Sequence, residues 1–172
     1  KEQVVSMVQT LSDFFRASLN SGKDIVSLEG ECRHITSYLQ IQQVRYQDIL
    51  TYDVDIPEEI ANCKIPKITL QPLVENALYH GIKNKRGKGK ILITGKKQGD
   101  KIIFQVIDNG KGMTEEELNS LRKKMAGTDT GDEAKGFGVS NVNQRIKYYY
   151  GEEYGVFFES CLLYTSPSPR DG

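Results

Sequence analysis

The chain has 172 residues, 38% hydrophobic and 27% charged, which suits one ordinary globular domain with a short helical extension. Lysine and arginine number 23 against 23 aspartates and glutamates, so no net charge favours nucleic acid or an anionic membrane as partner. No apolar run approaches the ~20 residues of a membrane-spanning helix, and Cys32, Cys63 and Cys161 show no CxxC or Cys/His spacing, which argues against a disulfide framework or zinc site and for a reducing compartment.

Val4, Val5, Val8, Leu11 and Phe15 recur at three- and four-residue steps. That spacing predicts a helix with one apolar face over Lys1–Asn20, in place of a signal peptide, while membrane spans further upstream in a longer parent stay open. Ser21-Gly22-Lys23-Asp24 breaks it, and a second helical stretch runs from about Leu28 to Tyr46 with Leu28, Ile35, Tyr38, Leu39 and Ile41 toward one side. Two helices joined by a glycine turn read as an antiparallel hairpin, either an outer layer of the domain or the remnant of a dimerising stalk. Thr51–Ile56 alternates polar and apolar as a half-buried strand ended by Pro57.

Pro66 precedes a helix predicted over Ile68–His80 and closed by Gly81 as its C-terminal cap. Lys90–Lys97 and Lys101–Asp108 are β-rich runs joined by a Gln98-Gly99-Asp100 hairpin. Thr114 followed by three glutamates starts another helix. Gly127–Lys135 is a polar, mobile loop, followed by a helix over about Val139–Tyr149 and a strand over Val156–Glu159. This order predicts an α+β fold, a two-layer α/β sandwich whose mixed sheet is covered by helices on one face, preceded by the helical hairpin. The expected divisions are a helical segment 1–46, a domain 47–160 and a tail 161–172. The two Ser-Pro steps and terminal Arg-Asp-Gly of that tail read as a vector-derived scar, the alternative being a native Pro-rich linker.

Three motifs carry chemistry. In Leu70–Gly81, Asn76 and His80 sit four residues apart on one helix face, while Leu73, Ala77 and Leu78 point at a sheet. A carboxamide oxygen is a hard ligand suited to Mg²⁺, which keeps waters and takes phosphate oxygens as partners. Taken alone, Asn76 equally fits a side chain that satisfies a neighbouring backbone group. Asp108-Asn109-Gly110-Lys111-Gly112-Met113 ends a strand with a carboxylate able to accept an adenine amine, and its glycines let the backbone approach a flat ring. The same residues also make an ordinary turn. Gly136-Phe137-Gly138-Val139-Ser140-Asn141 lies at the foot of a helix, whose N-terminal N–H groups suit a triphosphate, with Gly127–Lys135 before it as a lid.

In this order the motifs resemble the boxes of the Bergerat-fold ATPases, which include type II topoisomerases, certain chaperones, mismatch-repair ATPases and histidine kinases. LQPLVENALYHGI resembles the N box, DNGKGM the first glycine box and GFGVSNVNQRI the second. The wording is closest to bacterial sensor histidine kinases related to autolysin-regulating and nutrient-sensing systems, where LQPLVENA-x-x-HG and G-x-G-x-x-N-x-x-x-R are typical. Tyr38–Tyr46 likewise resembles that branch's YLxIQxxRF stretch, so the likeness covers roughly Leu11 to Ser160.

The resemblance implies ATP and Mg²⁺ as ligands, with Asn76 coordinating the metal and Asp108 binding the adenine amino group. Gly110, Gly112, Gly136 and Gly138 would shape the pocket, with Met113 and Val139 beside them. Asn141 and Arg145 would approach the phosphates, and His80 and Lys83 would be phosphate-side neighbours. Tyr79 stands where the branch has Lys, so Lys83 or Lys85 would supply the missing cation. The final glycine box is replaced by the tail. His34 lacks the branch's His-Phe-x-x-Asn acceptor context and His80 belongs to the N box, so the acceptor is expected upstream of this chain.

Implied partners are the phosphoacceptor helix of the same kinase, a response regulator, and a second copy, giving a homodimer through helices that Lys1–Tyr46 partly retains. No nucleic acid is implied, and membrane contact comes only through a region upstream, making this a cytoplasmic domain of a membrane sensor. The implied activity is transfer of the ATP γ-phosphoryl group to a histidine. An ATP hydrolase of the superfamily is the first alternative. It would resemble its relatives in having Glu four residues before Asn76, where Pro72 stands, and Glu75 lies ~100° around the helix. A nucleotide-binding module without kinase activity is the second. Glu75 would act on the acceptor histidine, or else be salt-bridged or capping nearby.

Overall fold

A computed structural model describes residues 2–18, 24–47, 49–83, 87–127 and 137–160. The predicted Gly22 turn, most of the Gly127–Lys135 loop and the tail lie outside them. Helix α1 (Glu2–Ser18) is amphipathic as its spacing requires. Its stripe of Val4, Val5, Val8, Leu11 and Phe15 stays exposed, and Phe14 makes the aromatic contacts to the second helix instead.

A short strand β1 (Ile25–Ser27) leads into α2 (Leu28–Arg45), where Ser27 caps the helix by accepting the Gly30 N–H at 3.1 Å. Leu28, Ile35 and Leu39 of α2 are fully buried and form one wall of the core. Strand β1 pairs antiparallel with β3 (Lys64–Pro66). Neither strand was legible in the sequence, because three residues are too few to show a period.

The main sheet has the order β2-β4-β5, from β2 (Leu50–Asp55), β4 (Gly89–Gln98) and β5 (Lys101–Asp108). Strands β2 and β4 run parallel and β4 and β5 antiparallel, so the sheet is mixed as expected. Register puts Tyr52 beside Ile91, Val54 beside Ile93, and Ile93 beside Val106. These residues belong to the core, whereas Thr51, Asp53, Gln105 and Ile107 on the alternate positions are exposed. One face is therefore covered and the other open, which agrees with the predicted α+β sandwich.

Helix α3 spans Leu70–Asn76 and continues as a π-helix over Ala77–Ile82. Gly81 is thus not the terminating cap that its position in the sequence suggested. It is buried inside the wide turn, a local form that sequence period does not announce. Helix α4 (Glu115–Met125) opens on a complete capping box, with Thr114 and Glu117 exchanging side-chain and backbone bonds. Helix α5 (Phe137–Tyr150) follows the loop. Residues 156–159 form no strand. The Val156 N–H donates to Asn143 Oδ1 at 2.9 Å, and the Phe158 carbonyl accepts from Arg122 Nη2 at 2.9 Å. With those backbone groups taken by side chains, they are not free for a ladder.

Candidate functional site

The turn after β5 is pinned from both sides. Asn109 Oδ1 accepts the Lys90 N–H at 2.7 Å and the Asn109 N–H returns a bond to the Lys90 carbonyl, fastening the turn to β4. Asp108 Oδ1 accepts the Gly110 N–H at 2.9 Å, an Asx-type bond that curls the chain and fixes the carboxylate at the strand end. Gly112 has φ +78°, a left-handed conformation that other residues resist. Met113 follows, its N–H donating to Ser160 Oγ at 2.8 Å.

The π-turn brings the N-box segment onto this turn. A Cβ at Gly110 would fall inside the Gly81 backbone, and a Cβ at Gly81 would strike the Asp108 carboxylate. Both glycines are therefore required for the two motifs to touch. The sequence singled out Gly110 for approach to a ligand, whereas its nearest neighbour is Gly81.

Asn76, the last α-helical residue before the π-turn, is half-buried. Among the described residues its carboxamide has no protein hydrogen-bond partner, unlike the backbone-serving role that was open from sequence. His80 is exposed on the π-turn. Because a π-turn closes by i→i+5 bonds, four residues fall short of a full turn, and His80 does not stack squarely above Asn76. Lys83 is exposed and its Nζ lies 4.4 Å from the centroid of the Tyr79 ring, a cation–π contact. Lys85 lies outside the described residues.

At the foot of α5, the exposed Gly138 lies beside the N box, where a Cβ would stand 3.3 Å from Pro72 Cβ. Val139 is buried and Asn141 exposed. Gly136 lies outside the described residues. Arg145 donates from Nη2 to the Ile68 carbonyl at 2.8 Å, and its Nε is buried without a partner. The structure thus turns Arg145 to the backbone two residues before the N box, which the sequence reading had not foreseen.

Two polar residues that sequence reasoning missed brace this region, Glu31 of α2 beneath the N box and Asn143 of α5 beside it. Glu31, 2% exposed, accepts the N–H groups of Ile68, Thr69 and Leu70 at 2.6, 3.1 and 3.2 Å. It replaces the absent side-chain cap of α3, since Thr69 bonds back to the Pro66 carbonyl at 2.5 Å. Ile68 itself has φ +57°, a strained position for a β-branched residue, held between Glu31 and Arg145. Asn143 ties the Met125 carbonyl of α4 to the Val156 N–H. A glutamate in the first turn of α2 looked like an ordinary dipole-favoured residue, so no signal in the sequence marked Glu31 as a cap for a different helix.

Glu75 faces α2. Its Oε1 accepts from Gln71 Nε2 at 2.9 Å, and burial first, then the charge of Glu75 and the nearby Tyr46, pushes the Tyr38 hydroxyl up to about 12 against the opposing pull of Arg45.

A mixed sheet with an Asn-bearing segment seated by glycine on a strand-end aspartate places the chain in a nucleotide-binding class of α+β domain. The profile described as "Histidine kinase-, DNA gyrase B-, and HSP90-like ATPase" matches residues 66–168, more than half of the chain, and the chain belongs to that family. ATP binding accompanies that membership. A second profile, "Histidine kinase", matches residues 1–50.

Sensor histidine kinase BtsS of Escherichia coli (strain K12) is 32% identical over 155 residues, covering 90% of this chain and 25% of the relative. Sensor protein LytS of Streptococcus agalactiae serotype V is 36% identical over 161 residues, covering 91% of this chain and 25% of the relative. The chain therefore spans about a quarter of the length of these curated relatives. Among solved structures, the histidine kinase domain of the blue-light activated histidine kinase from Erythrobacter litoralis EL346 is similar in fold. Its TM-score is 0.50 at 14% identity, covering 84% of this chain and 64% of that one. Among the described residues, no helix is long and apolar enough to cross a membrane.

Proposed function

We propose that the chain is the catalytic domain of a two-component sensor histidine kinase, holding Mg-ATP and passing the γ-phosphoryl group to a histidine on a helix outside this chain. The observation that carries the reading is the half-buried Asn76 carboxamide, which has no hydrogen-bond partner among the described residues, on the segment seated against Asp108. Its half-exposed amide is open to a ligand, and a carboxamide oxygen is a hard donor of the kind Mg²⁺ takes. Among the described residues no cluster of three His, Cys, Asp or Glu side chains converges, which suits a cation held chiefly by phosphate oxygens and water with one protein oxygen. Mg²⁺ in that position would neutralise phosphate charge as the bond to the γ-phosphoryl group breaks.

Asp108 orients the base, with Gly81 and Gly110 setting how closely backbone approaches it. Gly138 and Val139 bring the N-terminus of α5 to the phosphate side. Hydrolysis is disfavoured because Pro72 offers no base and the Glu75 carboxylate is already bonded to Gln71 of its own helix. Glu75 instead serves the acceptor histidine, presented from the side of the helical hairpin.

Calorimetric titration of ATP with and without Mg²⁺, on the chain and on Asn76→Ala, tests the metal assignment. The expected result is a Mg²⁺-dependent gain in affinity that Asn76→Ala removes, on the order of tenfold or about 1.4 kcal/mol. Equal Mg-ATP affinity in the variant contradicts it. The remaining assignments, a membrane-anchored parent, a homodimer and a response regulator as phosphate recipient, rest on the likeness to sensor kinases.

A further inference from the structure

The N-box helix carries a second hydrogen-bonded chain on the face turned to α2. Gln71 Nε2 donates to Glu75 Oε1 at 2.9 Å, and Gln71 Oε1 lies 2.7 Å from His34 Nε2. An ionised carboxylate only accepts, so the amide must turn its NH₂ to Glu75 and its oxygen to His34. His34 Nε2 therefore carries a proton and donates it. His34 is 4% exposed, and its Nδ1 is buried with no partner. A leucine or phenylalanine would fill this place without an orphaned nitrogen, so packing alone does not account for a histidine.

The His34 ring stacks on Phe14 of α1, with centroids 4.7 Å apart and planes 17° apart, and Phe14 also lies 6.2 Å from the Tyr38 ring. Tyr38 senses the charge of Glu75. One face of α2 thus links α1 to the N box.

We infer that His34 is a positioning residue for phosphoryl transfer: through its Nε2–H it fixes the Gln71 amide, and Gln71 fixes the Glu75 carboxylate against the helical hairpin. This rests on the reading that Glu75 serves the acceptor histidine. Without the His34 donor the amide is free to rotate, its oxygen then opposes the carboxylate, and Glu75 leaves its place. Asn76, the proposed contact to Mg-ATP, takes no part in this chain of bonds, so nucleotide affinity should not depend on it.

Autophosphorylation kcat and KM for ATP, measured on the full-length kinase, test the inference. His34→Leu is expected to lower kcat about tenfold, the rate equivalent of one hydrogen bond to a charged group, with KM unchanged. His34→Gln, which restores a donor near the Nε2 position, recovers most of the loss. Gln71→Leu behaves like His34→Leu, and the double variant falls no further, because both act through one path. Should His34→Leu fail to fold, Gln71→Leu keeps the stacked ring and carries the same comparison. Unchanged kcat in both leucine variants, a glutamine variant no better than leucine, or a loss confined to KM overturns the inference. Glu75→Gln separates the layers. Full activity there overturns the reading of Glu75 itself, whereas an inactive Glu75→Gln beside fully active His34→Leu and Gln71→Leu overturns only the inference.

Discussion

Replacing Glu31 by alanine isolates the support beneath the N box. The substitution removes one buried acceptor from three N–H groups, those of Ile68, Thr69 and Leu70. Hydrogen bonds to a charged group contribute ~1.5–3 kcal/mol each, and partial resolvation of the freed donors reduces the sum to ~4–5 kcal/mol. Ile68 sits at φ +57°, and relaxing that left-handed backbone returns ~1–2 kcal/mol. The net loss is then about 3 kcal/mol, on the order of a 10 °C fall in Tm for a chain of this size. Urea unfolding should show a lower midpoint at unchanged slope. Nucleotide affinity should fall as well, since Asn76 lies on the helix whose first turn has come loose. A loss below about 1 kcal/mol would refute the reasoning, because surface substitutions without a structural role fall in that range.

Gly110→Ala should abolish nucleotide binding, because its Cβ enters the Gly81 backbone and neither strand of chain can yield. Equilibrium dialysis with ATP checks this, and Gly99→Ala, strained at φ +60° but with open space around it and far from the motifs in sequence, serves as the control for glycine loss elsewhere. Burial first and the Glu31 charge second push the Cys32 thiol up to about 11 from its ordinary 9.0. Its folded value lies above the unfolded one, so its contribution to stability is complete below pH 9 and is lost as pH rises toward 11. A fall in the urea midpoint over that window, absent in Cys32→Ala, is the expected result. Arg145→Met should lower stability by about 1 kcal/mol through loss of the bond to the Ile68 carbonyl, measurable by thermal unfolding.

The elements with a clear period were readable in advance. The amphipathic α1, the alternating β2, the hairpin of β4 and β5 around Gly99, and the Thr114 capping box all lie within two residues or so of expectation. What was illegible depends on tertiary contact. The π-turn at Ala77–Ile82 arises where Gly81 meets Asp108 and Gly110, and period alone reads it as more α-helix. The expected strand over 156–159 has the right composition, yet Asn143 and Arg122 take its backbone groups. The three boxes were readable as motifs because they are local in sequence. Glu31 and Asn143 were missed because each bonds to a partner in another element, and a polar residue on an amphipathic helix gives no sign of which neighbour it will find.

The central claim is that this site hands phosphate to a histidine rather than to water. Mixing the chain with Mg-ATP labelled at the γ position and a separate fragment bearing the acceptor helix measures both fates together. The account predicts acid-labile, alkali-stable label on the fragment, dependent on Asn76, with little free phosphate. Rapid release of free phosphate with an unlabelled fragment would contradict it, since Pro72 and the already bonded Glu75 leave no base for water.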